Sequence, residues 1–571
     1  MKIIKYDVCI IGSGAGAAPI AYELSKNGFN VIVIEKGPWF KTKDLSKDEI
    51  TSTRRNVYTP LLQDEQHVIE SRNSDGDWES KSTYSTGISY WNGNMVGGST
   101  NLMSGYFHRM KPNDFKLLTT YGPIEGANIT NWPIDYSEME PYFDIVEKEI
   151  GISGRVVDHS TQEPRSKNHF PYPPLVENIV SSWIDNASNE LGYDAVPIPR
   201  AILSLPEKNR SSCYYSNYCG SYGCSSDAKG SARVALLDKA LITGKCTILP
   251  NSKVYKLETN GNGKIIRSWH YDDEGSKQSI EADLFVVACQ AVETSRLLLM
   301  SKNEDFPVGL ANNSGLVGKN LLFSAGGVGS GIFDYDNLKK SEAEQLKVPG
   351  LFVNRAIQHW YEIDDARLPD GQENEFPKKV KGGTVDFLFE HANGISKAIR
   401  NKWDENGNLV YGSVLKSKMK KYFLNQRKLN FEVFADWLPT DNCYVTLDEN
   451  IVDKWGDPVA KIRIGNHPHD LEVGKYLSKK AEDLMEKMGA INIRSSIKGS
   501  PPTNLMAGGC RFGDDPKNSV LDRNCKAHEV DNLYVTDGSF MPTGGSVTYT
   551  WTIYANAFRV ADIIINRLRR E

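Results

Sequence analysis

Apolar residues near the start of the chain fall into two runs of strand length, separated by a glycine-rich turn and a helical repeat. The run YDVCIIG has the length and composition of a buried strand, and SGAGAA follows it as the turn. The stretch PIAYELSKNG places Ile20, Ala21 and Leu24 at helical spacing, and FNVIVIEKG is a second apolar run that leads into an acid. This pattern predicts a βαβ unit.

The C-terminal stretch VDNLYVTDGSFMPTGGSVTYTWTIYANAFRVADIIINRL predicts a strand and a long helix. Leu533 to Val535 form a short apolar run, and TDG follows as an acidic turn. Apolar residues then recur at helical spacing, at Ile553, Ala557, Val560, Ala561 and Ile564.

Two further patterns lie in the second half of the chain. Apolar and aromatic residues alternate in FEVFADWLPTDNCYVTLD (431–448), which is typical of strands. The charged run KSKMKKYFLNQRK (416–428) is most simply a helix face in contact with solvent. The alternative is that this run is a docking edge for another protein.

Length and composition limit the number of domains and the kinds of partner that the chain can have. A chain of 571 residues predicts two domains or one elaborated α/β domain. The formal net charge of −5 provides no basic field, so we expect no nucleic-acid partner. No stretch reaches about 18 consecutive apolar residues, so we expect no membrane span. The N-terminal apolar run is broken by the glycine turn and does not resemble a secretion signal, which favours a cytoplasmic location.

The glycine-rich turn has the spacing of a dinucleotide-binding site. Gly12, Gly14 and Ala17 occupy the three positions of G-x-G-x-x-G/A, which allow a tight turn, close approach of a pyrophosphate, and close packing of helix on strand. Glu35, at the end of the second strand, is placed to accept hydrogen bonds from a ribose hydroxyl group. The motif predicts an adenine dinucleotide without distinguishing NAD from FAD. The predicted site also includes Ala15, Gly16 and Lys36.

Four stretches, in order along the chain, resemble the glucose–methanol–choline (GMC) oxidoreductases, which bind FAD. They are GGSTNLMSGYFHRMKPNDF (97–115), NWPIDYSEMEPYFDIVEKEIGISG (131–154), ADLFVVACQAVETSRLLLMS (282–301) and the C-terminal stretch described above. The third stretch departs from the family pattern at Gln290, where a glycine is usual. The resemblance is nearest to the gluconate and glucose dehydrogenase subgroup.

The resemblance implies an α/β fold with two domains. One is a Rossmann-like FAD-binding domain, and the other is a substrate-binding domain of antiparallel sheet with helices. The FAD-binding domain would comprise residues 1–120, 225–330 and 500–571, and the substrate-binding domain residues 120–225 and 330–500.

The resemblance also implies further contacts with FAD. Asp537 would accept hydrogen bonds near the ribityl or pyrophosphate end of the cofactor, a role that is compatible with a helix N-cap. The other implied contacts are Gly98, Ser99, Asn101, Leu102, Val254, Gly538, Thr548 and Tyr549.

Both catalytic positions implied by the resemblance are substituted. Family members carry a His six residues before an Arg-x-Gly, which falls on Leu505 here, and an Asn-Pro or His-Pro pair, which falls on Thr548 and Tyr549. Three explanations stay open: the alignment shifts so that Asn504 takes the first position, another base serves, or the chain uses its flavin for different chemistry. The alternative bases are His467, His469, His528 and Tyr549.

The cysteine-containing stretch CYYSNYCGSYGCSSDAKGSARVALLDKAL (213–241) resembles a segment of the sugar-type dehydrogenases in the family. In some of these, three cysteines hold a 3Fe–4S cluster that passes electrons to a cytochrome, and Cys213, Cys219 and Cys224 would be the ligands here. The alternatives are free thiols in a structural loop, or a disulfide if the chain is exported.

Together these features predict an FAD-dependent oxidoreductase that acts on a CH–OH group of a sugar, glycoside, cyclitol or similar polyol. The resemblance implies a small subunit or a cytochrome as electron acceptor, and a periplasmic location only if such a partner carries the chain out of the cell. One alternative is a flavoenzyme with altered chemistry, such as desaturation, epimerisation or a tailoring step in natural-product synthesis. The other is a non-catalytic flavoprotein.

Overall fold

The computed structural model describes residues 5–51, 61–87, 93–324, 326–364, 376, 378–404, 406–497 and 505–570. Its strands are β1 (Tyr6–Ile11), β2 (Val31–Ile34), β3 (Val68–Arg72), β4 (Trp78–Ser82), β5 (Ala195–Pro197), β6 (Cys246–Leu249), β7 (Lys253–Thr259), β8 (Ile265–Tyr271), β9 (Lys277–Val287), β10 (Lys319–Phe323), β11 (Gly327–Asp334), β12 (Arg355–Ile357), β13 (Glu362–Ile363), β14 (Val380–Lys381), β15 (Gly383–Phe389), β16 (Gln426–Ala435), β17 (Tyr444–Val452), β18 (Pro458–Arg463), β19 (Ile491–Ser496), β20 (Met506–Gly509) and β21 (Leu533–Val535).

The α-helices of the described residues include two long ones that cover the sheets. They are α1 (Ala18–Lys26), α2 (Thr83–Thr86), α3 (Leu117–Tyr121), α4 (Tyr136–Val146), α5 (Val180–Leu191), α6 (Asp238–Ile242), α7 (Ala291–Met300), α8 (Lys340–Lys347), α9 (Gly394–Asn401), α10 (Gly412–Leu424), α11 (Pro468–Lys487) and α12 (Thr550–Leu568). No helix in the described ranges is both long and apolar enough to cross a lipid bilayer.

The first sheet has a parallel core in the order β6, β2, β1, β9 and β21. β8 extends it by antiparallel pairing with the first half of β9, and β7 pairs antiparallel with β8. The helix α12 packs against α1 and α4 on this sheet. The predicted βαβ unit and the predicted C-terminal strand and helix are confirmed as β1, α1, β2, β21 and α12.

A second sheet is antiparallel throughout, in the order β19, β11, β16, β15, β12 and β5. Phe387, Phe431 and Val433 belong to one face of this sheet, and they pack with residues of α11 and α5 in a separate hydrophobic core. Because side chains alternate along a strand, Asn430 and Glu432 lie on the opposite face. The predicted fold class is confirmed, since a parallel α/β sheet stands beside an antiparallel sheet covered by helices.

A third sheet, in the order β20, β10, β17, β18, β3 and β4, was not predicted from the sequence. The alternating stretch 431–448 does form strands, but it contributes the end of β16 to the second sheet and the start of β17 to the third. The boundaries of the two predicted domains stay a prediction.

Candidate active site

Two glycines of the turn after β1 are required by close contacts. A Cβ atom on Gly12 would stand 2.2 Å from the Ala288 carbonyl oxygen, and one on Gly16 would stand 2.6 Å from the Thr536 carbonyl oxygen. Gly14 differs, because a Cβ atom there would have no atom of the described residues within 4 Å. The turn is therefore held tightly against β9 and β21, while the backbone of Gly14 is left open to a ligand.

Ser13 connects this turn to two other segments of the site. Its Oγ donates a hydrogen bond to Glu35 Oε2 at 2.6 Å and accepts one from the Gly97 N–H at 2.9 Å. Glu35 Oε1 accepts a hydrogen bond from the Gly37 N–H at 2.8 Å. Burial raises the pKa of Glu35 above its ordinary value. The carboxyl group is thus held in one orientation at the end of β2, where an adenosine ribose is expected.

One cavity of about 1230 Å³ extends from the glycine turn to the antiparallel sheet. This volume exceeds the roughly 300–1,000 Å³ of most ligand pockets, so it has room for a dinucleotide and a substrate. The open backbone at Gly14 and the buried acid Glu35 fit the adenine dinucleotide part of FAD. Of the predicted site residues, the cavity is lined by Gly12, Gly14, Ala15, Gly16, Glu35, Lys36, Gly98, Ser99, Leu102, Val254, Leu505, Asp537, Gly538, Thr548 and Tyr549.

The structure places Asn101 behind the cavity wall rather than on it. Its side-chain amide donates hydrogen bonds to the carbonyl oxygens of Val96 and Gly98, at 3.0 Å each. A Cβ atom on Gly98 would stand 3.3 Å from the Gly14 Cα atom, so the two glycine turns approach closely. Asn101 therefore shapes the second turn, and the direct cofactor contact of this residue stays a prediction.

Asp537 links β21 to the helix that follows β9. It is the N-cap of the short helix Gly538–Phe540, and its Oδ1 accepts a hydrogen bond from the Ser539 N–H at 2.8 Å. Its Oδ2 accepts hydrogen bonds from the Gln290 N–H at 2.9 Å and from the Thr294 hydroxyl group. Gln290 has a φ of +82°, which explains why a glycine is usual at this position.

Leu505 and Thr548, two of the positions predicted to be catalytic, both line the cavity. Leu505 has a φ of +57°, in the left-handed region, and the Thr548 hydroxyl group donates a hydrogen bond to the Tyr106 carbonyl oxygen at 3.1 Å. Neither side chain can take up a proton from an alcohol. Asn504, the alternative from a shifted alignment, lies outside the described residues.

Tyr549 has its hydroxyl group in a buried cluster of acids. Within the described part of the chain this hydroxyl group has no hydrogen-bond partner, and Asp436 and Asp470 both raise its pKa in addition to burial. Asp470 Oδ2 accepts a hydrogen bond from the Leu438 N–H at 3.0 Å. Burial also raises the pKa of Asp470 well above its ordinary value. Asp470 lines the main cavity and a smaller one of about 290 Å³, so it separates the two.

The alternative histidines do not line the main cavity. His467 is the N-cap of α11, where its Nδ1 accepts a hydrogen bond from the His469 N–H at 3.2 Å and its Nε2 donates one to the Glu125 carbonyl oxygen at 2.8 Å. The His469 ring lines the smaller cavity instead. His528 forms a hydrogen bond with the Ser519 hydroxyl group at 2.9 Å. Each of the three therefore has a local contact away from the Leu505 position.

Sequence reasoning missed the polar wall at the far end of the cavity. It is formed by Tyr106, His391, Asn430 and Glu432, from segments far apart in the chain. The Arg200 guanidinium carbon lies 3.6 Å from the centre of the Tyr106 ring, and burial raises the pKa of Tyr106 to about 12. The two-residue alternation along β16 could have indicated that Asn430 and Glu432 share a face, whereas Tyr106 and His391 carry no such signal.

The cysteine loop packs beside the cavity as a small cluster. Cys213, Cys219 and Cys224 contact one apolar core together with Tyr215, and all three are free thiols. Burial raises the pKa of Cys213 to about 12. No three His, Cys, Asp or Glu side chains of the described residues are close enough to hold one metal ion. The structure thus shows the three residues as free thiols in a packed loop, and the 3Fe–4S cluster stays a prediction.

The chain is similar to known oxidases and dehydrogenases along its whole length. It is 27% identical to the 6'''-hydroxyparomomycin C oxidase of Streptomyces lividus, over 99% of this chain and 92% of that protein. It is also 27% identical to the fructose dehydrogenase large subunit of Gluconobacter japonicus, over 100% of this chain and 99% of that protein. A formate oxidase of Aspergillus oryzae, studied for its FAD modification, has a similar fold, with a TM-score of 0.63, 15% identity and 100% coverage of both chains.

Sequence models of the N-terminal and C-terminal parts of the GMC oxidoreductases match residues 174–324 and 439–557. The second match includes Asp537 and the substituted positions Leu505, Thr548 and Tyr549, and the first includes Gln290. Together with the glycine turns and the cavity that fits FAD, these matches show that the chain belongs to the GMC oxidoreductase family.

Proposed function

We propose that this chain is an FAD-dependent oxidoreductase that oxidises a CH–OH group of a sugar, glycoside, cyclitol or similar polyol. The observation that carries the proposal is one continuous cavity, with Gly14 and Glu35 at one end and Asn430 and Glu432 at the other. The relatives support the substrate class, because one is named as an oxidase of hydroxyparomomycin C and another as a fructose dehydrogenase.

The far wall of the cavity suits a substrate with several hydroxyl groups. Asn430 offers both a donor and an acceptor, Glu432 offers acceptors, and Tyr106 and His391 add ring and polar contacts. Hydroxyl groups of a polyol need such directional partners, because leaving them unpaired in a closed site costs binding free energy. An apolar alcohol would make no directional contacts with this wall, so we expect a preference for polyols over simple alkanols.

The proton of the substrate alcohol needs an acceptor other than the two substituted positions. When bound, FAD would supply the hydride acceptor for the CH–OH carbon. Among the acids of the cavity wall, Asp470 is the one that also contacts the smaller cavity and the buried cluster around Tyr549. We assign to Asp470 the role of accepting the hydroxyl proton. The proton would then leave through the smaller cavity. Asn504 stays an alternative from the sequence.

The proposal is tested by anaerobic absorption spectroscopy of the purified holoprotein. Sugars, cyclitols and diols are added one at a time, each beside the deoxy analogue that lacks one hydroxyl group. The expected result is loss of the oxidised flavin bands with at least one polyol, with a carbonyl product that a hydrazine reagent traps. A flavin that every polyol leaves oxidised, although dithionite reduces it, would contradict the proposal.

Altered chemistry is a second candidate function because Leu505 cannot act as a base. In that case the flavin would not be reduced in the steady state by a polyol, but a substrate would be converted without a net change in oxidation level, as in epimerisation. Product analysis by mass spectrometry and NMR after incubation with the same panel distinguishes the two. A product of unchanged mass supports epimerisation. Among products lighter by two hydrogens, a new carbonyl carbon supports oxidation of the CH–OH group, and a new carbon–carbon double bond supports desaturation.

A second cofactor, a 3Fe–4S cluster bound by Cys213, Cys219 and Cys224, is also predicted from the sequence. Its support is that the three thiols contact one apolar core, while the spacing of the described side chains does not favour metal binding. We therefore base no electron-transfer step on a cluster. Iron analysis and electron paramagnetic resonance of anaerobically purified protein decide this point, since three iron atoms per chain would support the cluster and none would exclude it.

The electron acceptor and the location also belong to the proposal. Similarity to a protein named as a large subunit supports a partner subunit that receives electrons. Without such a partner, we propose that the chain acts in the cytoplasm.

We also propose the division of the chain into two domains. The FAD-binding domain comprises residues 1–120, 225–330 and 500–571, and the substrate-binding domain comprises residues 120–225 and 330–500. Limited proteolysis with and without FAD would show which segments the cofactor protects.

A further inference from the structure

The helices α9 and α10 form a hairpin that carries exposed apolar side chains. None of the residues of either helix is buried within the described structure. Tyr411 is 78% exposed, Val414 66% and Leu424 61%. These values are unusual for a helical pair, which normally buries one apolar stripe. The other large apolar residues exposed on this hairpin are Ile395, Ile399, Trp403, Leu409 and Phe423.

The same hairpin is basic, although the chain as a whole is acidic. Residues 394–425 contain seven Lys and Arg residues against two acids, while the formal net charge of the chain is −5. Six of these cations are Lys402, Lys416, Lys418, Lys420, Lys421 and Arg400. Apolar and positively charged side chains are therefore concentrated together on one protruding element.

The hairpin is attached at the mouth of the large cavity. Ile399 and Arg400 line that cavity as well as being exposed. The Glu49 carboxylate accepts hydrogen bonds from the N–H groups of Ile395 and Ser396 at the start of α9, at 2.6 and 2.7 Å. Lys421 forms an ion pair with Asp334 at 3.1 Å, which holds α10 to the antiparallel sheet. These contacts hold the base of the hairpin against the rest of the protein, and its exposed apolar side chains face away from it.

We propose that this hairpin docks the protein on an anionic lipid surface, with the cavity mouth toward the membrane. Exposed apolar side chains next to lysines are suited to the interface of an anionic bilayer, where the apolar groups insert and the lysines contact the headgroups. Each lysine near an anionic surface strengthens partitioning about fivefold. Lysine dominates over arginine here, and lysine is depleted in protein–protein interfaces, so the composition favours lipid over an acidic protein.

Vesicle flotation tests the docking surface with the holoprotein. The probes are vesicles of phosphatidylserine and phosphatidylcholine in equal amounts, and vesicles of phosphatidylcholine alone. We expect binding to the first kind, weakened by added salt, and much weaker binding to the second. Lys416→Gln with Lys420→Gln should weaken binding about 25-fold. Val414→Ser with Leu424→Ser should also weaken it, because the inserted apolar area is lost.

The matched control is Lys340→Gln with Lys347→Gln on α8, which changes net charge equally at another exposed helix. This pair should bind vesicles as the unchanged protein does. If the α8 double variant loses as much vesicle binding as the α10 double variant, net charge alone drives binding, and the proposal is overturned. Trp403→Phe adds a second readout, because it should remove a vesicle-dependent blue shift in tryptophan fluorescence.

Failure of docking is distinguishable from failure of the proposed oxidation. Flavin reduction by a soluble polyol does not require vesicles, so it is measured on the same preparations without lipid. An absence of binding to both vesicle types would overturn the docking proposal whatever the flavin does. Binding of the hairpin to an acidic soluble protein, with no response to phosphatidylserine, would assign this surface to a protein partner instead.

Discussion

The hydroxyl group of Tyr549 and the carboxylate of Asp436 converge on Gly544. A Cβ atom on that glycine would stand 2.4 Å from Tyr549 Oη and 2.9 Å from Asp436 Oδ1. Within the described residues neither Tyr549 Oη nor Asp436 Oδ2 has a hydrogen-bond partner. Asp436 Oδ1 is better satisfied, since it accepts a hydrogen bond from the Gly545 N–H at 2.6 Å. The last position that the family resemblance predicts to be catalytic is thus occupied here by a phenol buried against an acid.

This contact predicts how the two residues respond to substitution. Gly544→Ala should lower the free energy of unfolding by about 1–3 kcal/mol, because the added methyl group overpacks the site. Tyr549→Phe should cost little or stabilise slightly, since it removes a buried hydroxyl group without a partner. Combined with Gly544→Ala, it should recover part of the loss. Denaturant unfolding of the unchanged protein, the two single variants and the double variant measures these free energies. Strictly additive changes in the free energy of unfolding would contradict the contact.

Gly14→Val should abolish FAD binding without unfolding the protein. The Cβ position of Gly14 is free of described protein atoms within 4 Å, so the new side chain would enter the space assigned to the pyrophosphate. The matched control is Gly261→Val, whose Cβ position is equally free but lies in the turn between β7 and β8. Flavin content after purification and circular dichroism check both. Full flavin content in Gly14→Val would refute this cofactor position.

Asp470 should govern the pH dependence of flavin reduction. Burial raises the pKa of its carboxyl group, and only the ionised form can accept a proton. The rate of flavin reduction should therefore rise with pH, through a range above the ordinary titration of an aspartate. Asp470→Asn keeps an acceptor for the Leu438 N–H and should slow reduction about 100-fold or more, with a flat pH profile.

The comparison for Asp470 is Glu432→Gln, which changes another acid of the same cavity wall. This substitution should raise KM with little effect on the pH profile, because we assign Glu432 to substrate binding rather than to proton transfer. Stopped-flow traces across a pH series separate the two effects. A pH profile lost in Glu432→Gln and kept in Asp470→Asn would move the proton acceptor to Glu432.

His159 should make folding stability depend on pH. Burial and the nearby Lys111 lower the pKa of His159 to about 4, from 6.5. Between these values the unfolded chain binds a proton that the folded chain does not, so stability is fully present above pH 6.5 and is lost as pH falls toward 4. His159→Gln should flatten this part of the profile. Denaturant unfolding at both limits checks it, and identical profiles would contradict the assignment.

The local elements of the FAD-binding part could be predicted from the sequence because their physical causes are local. The tight turn at Gly12, the apolar runs of β1 and β2, and the acid Glu35 lie within one βαβ unit of adjacent residues. The strand Leu533–Val535 was equally clear from its apolar run and acidic turn. Asn101 shows the limit of a motif, because the motif gives its position but not its hydrogen bonds to the Val96 and Gly98 carbonyl oxygens.

What only the tertiary structure decided was which distant side chains meet. Asp470, Asp436 and Tyr549 come from three separate segments, and their proximity results from the packing of α11 and α12 around the sheets, which no spacing in the sequence encodes. The third sheet was missed for the same reason, since β3 and β18 pair across almost 400 residues. The sequence by itself determined the dinucleotide turn and the fold class, and it predicted that Leu505 takes the place of the family's histidine. The environment of that position depends on long-range contacts, and so only the folded chain could define it.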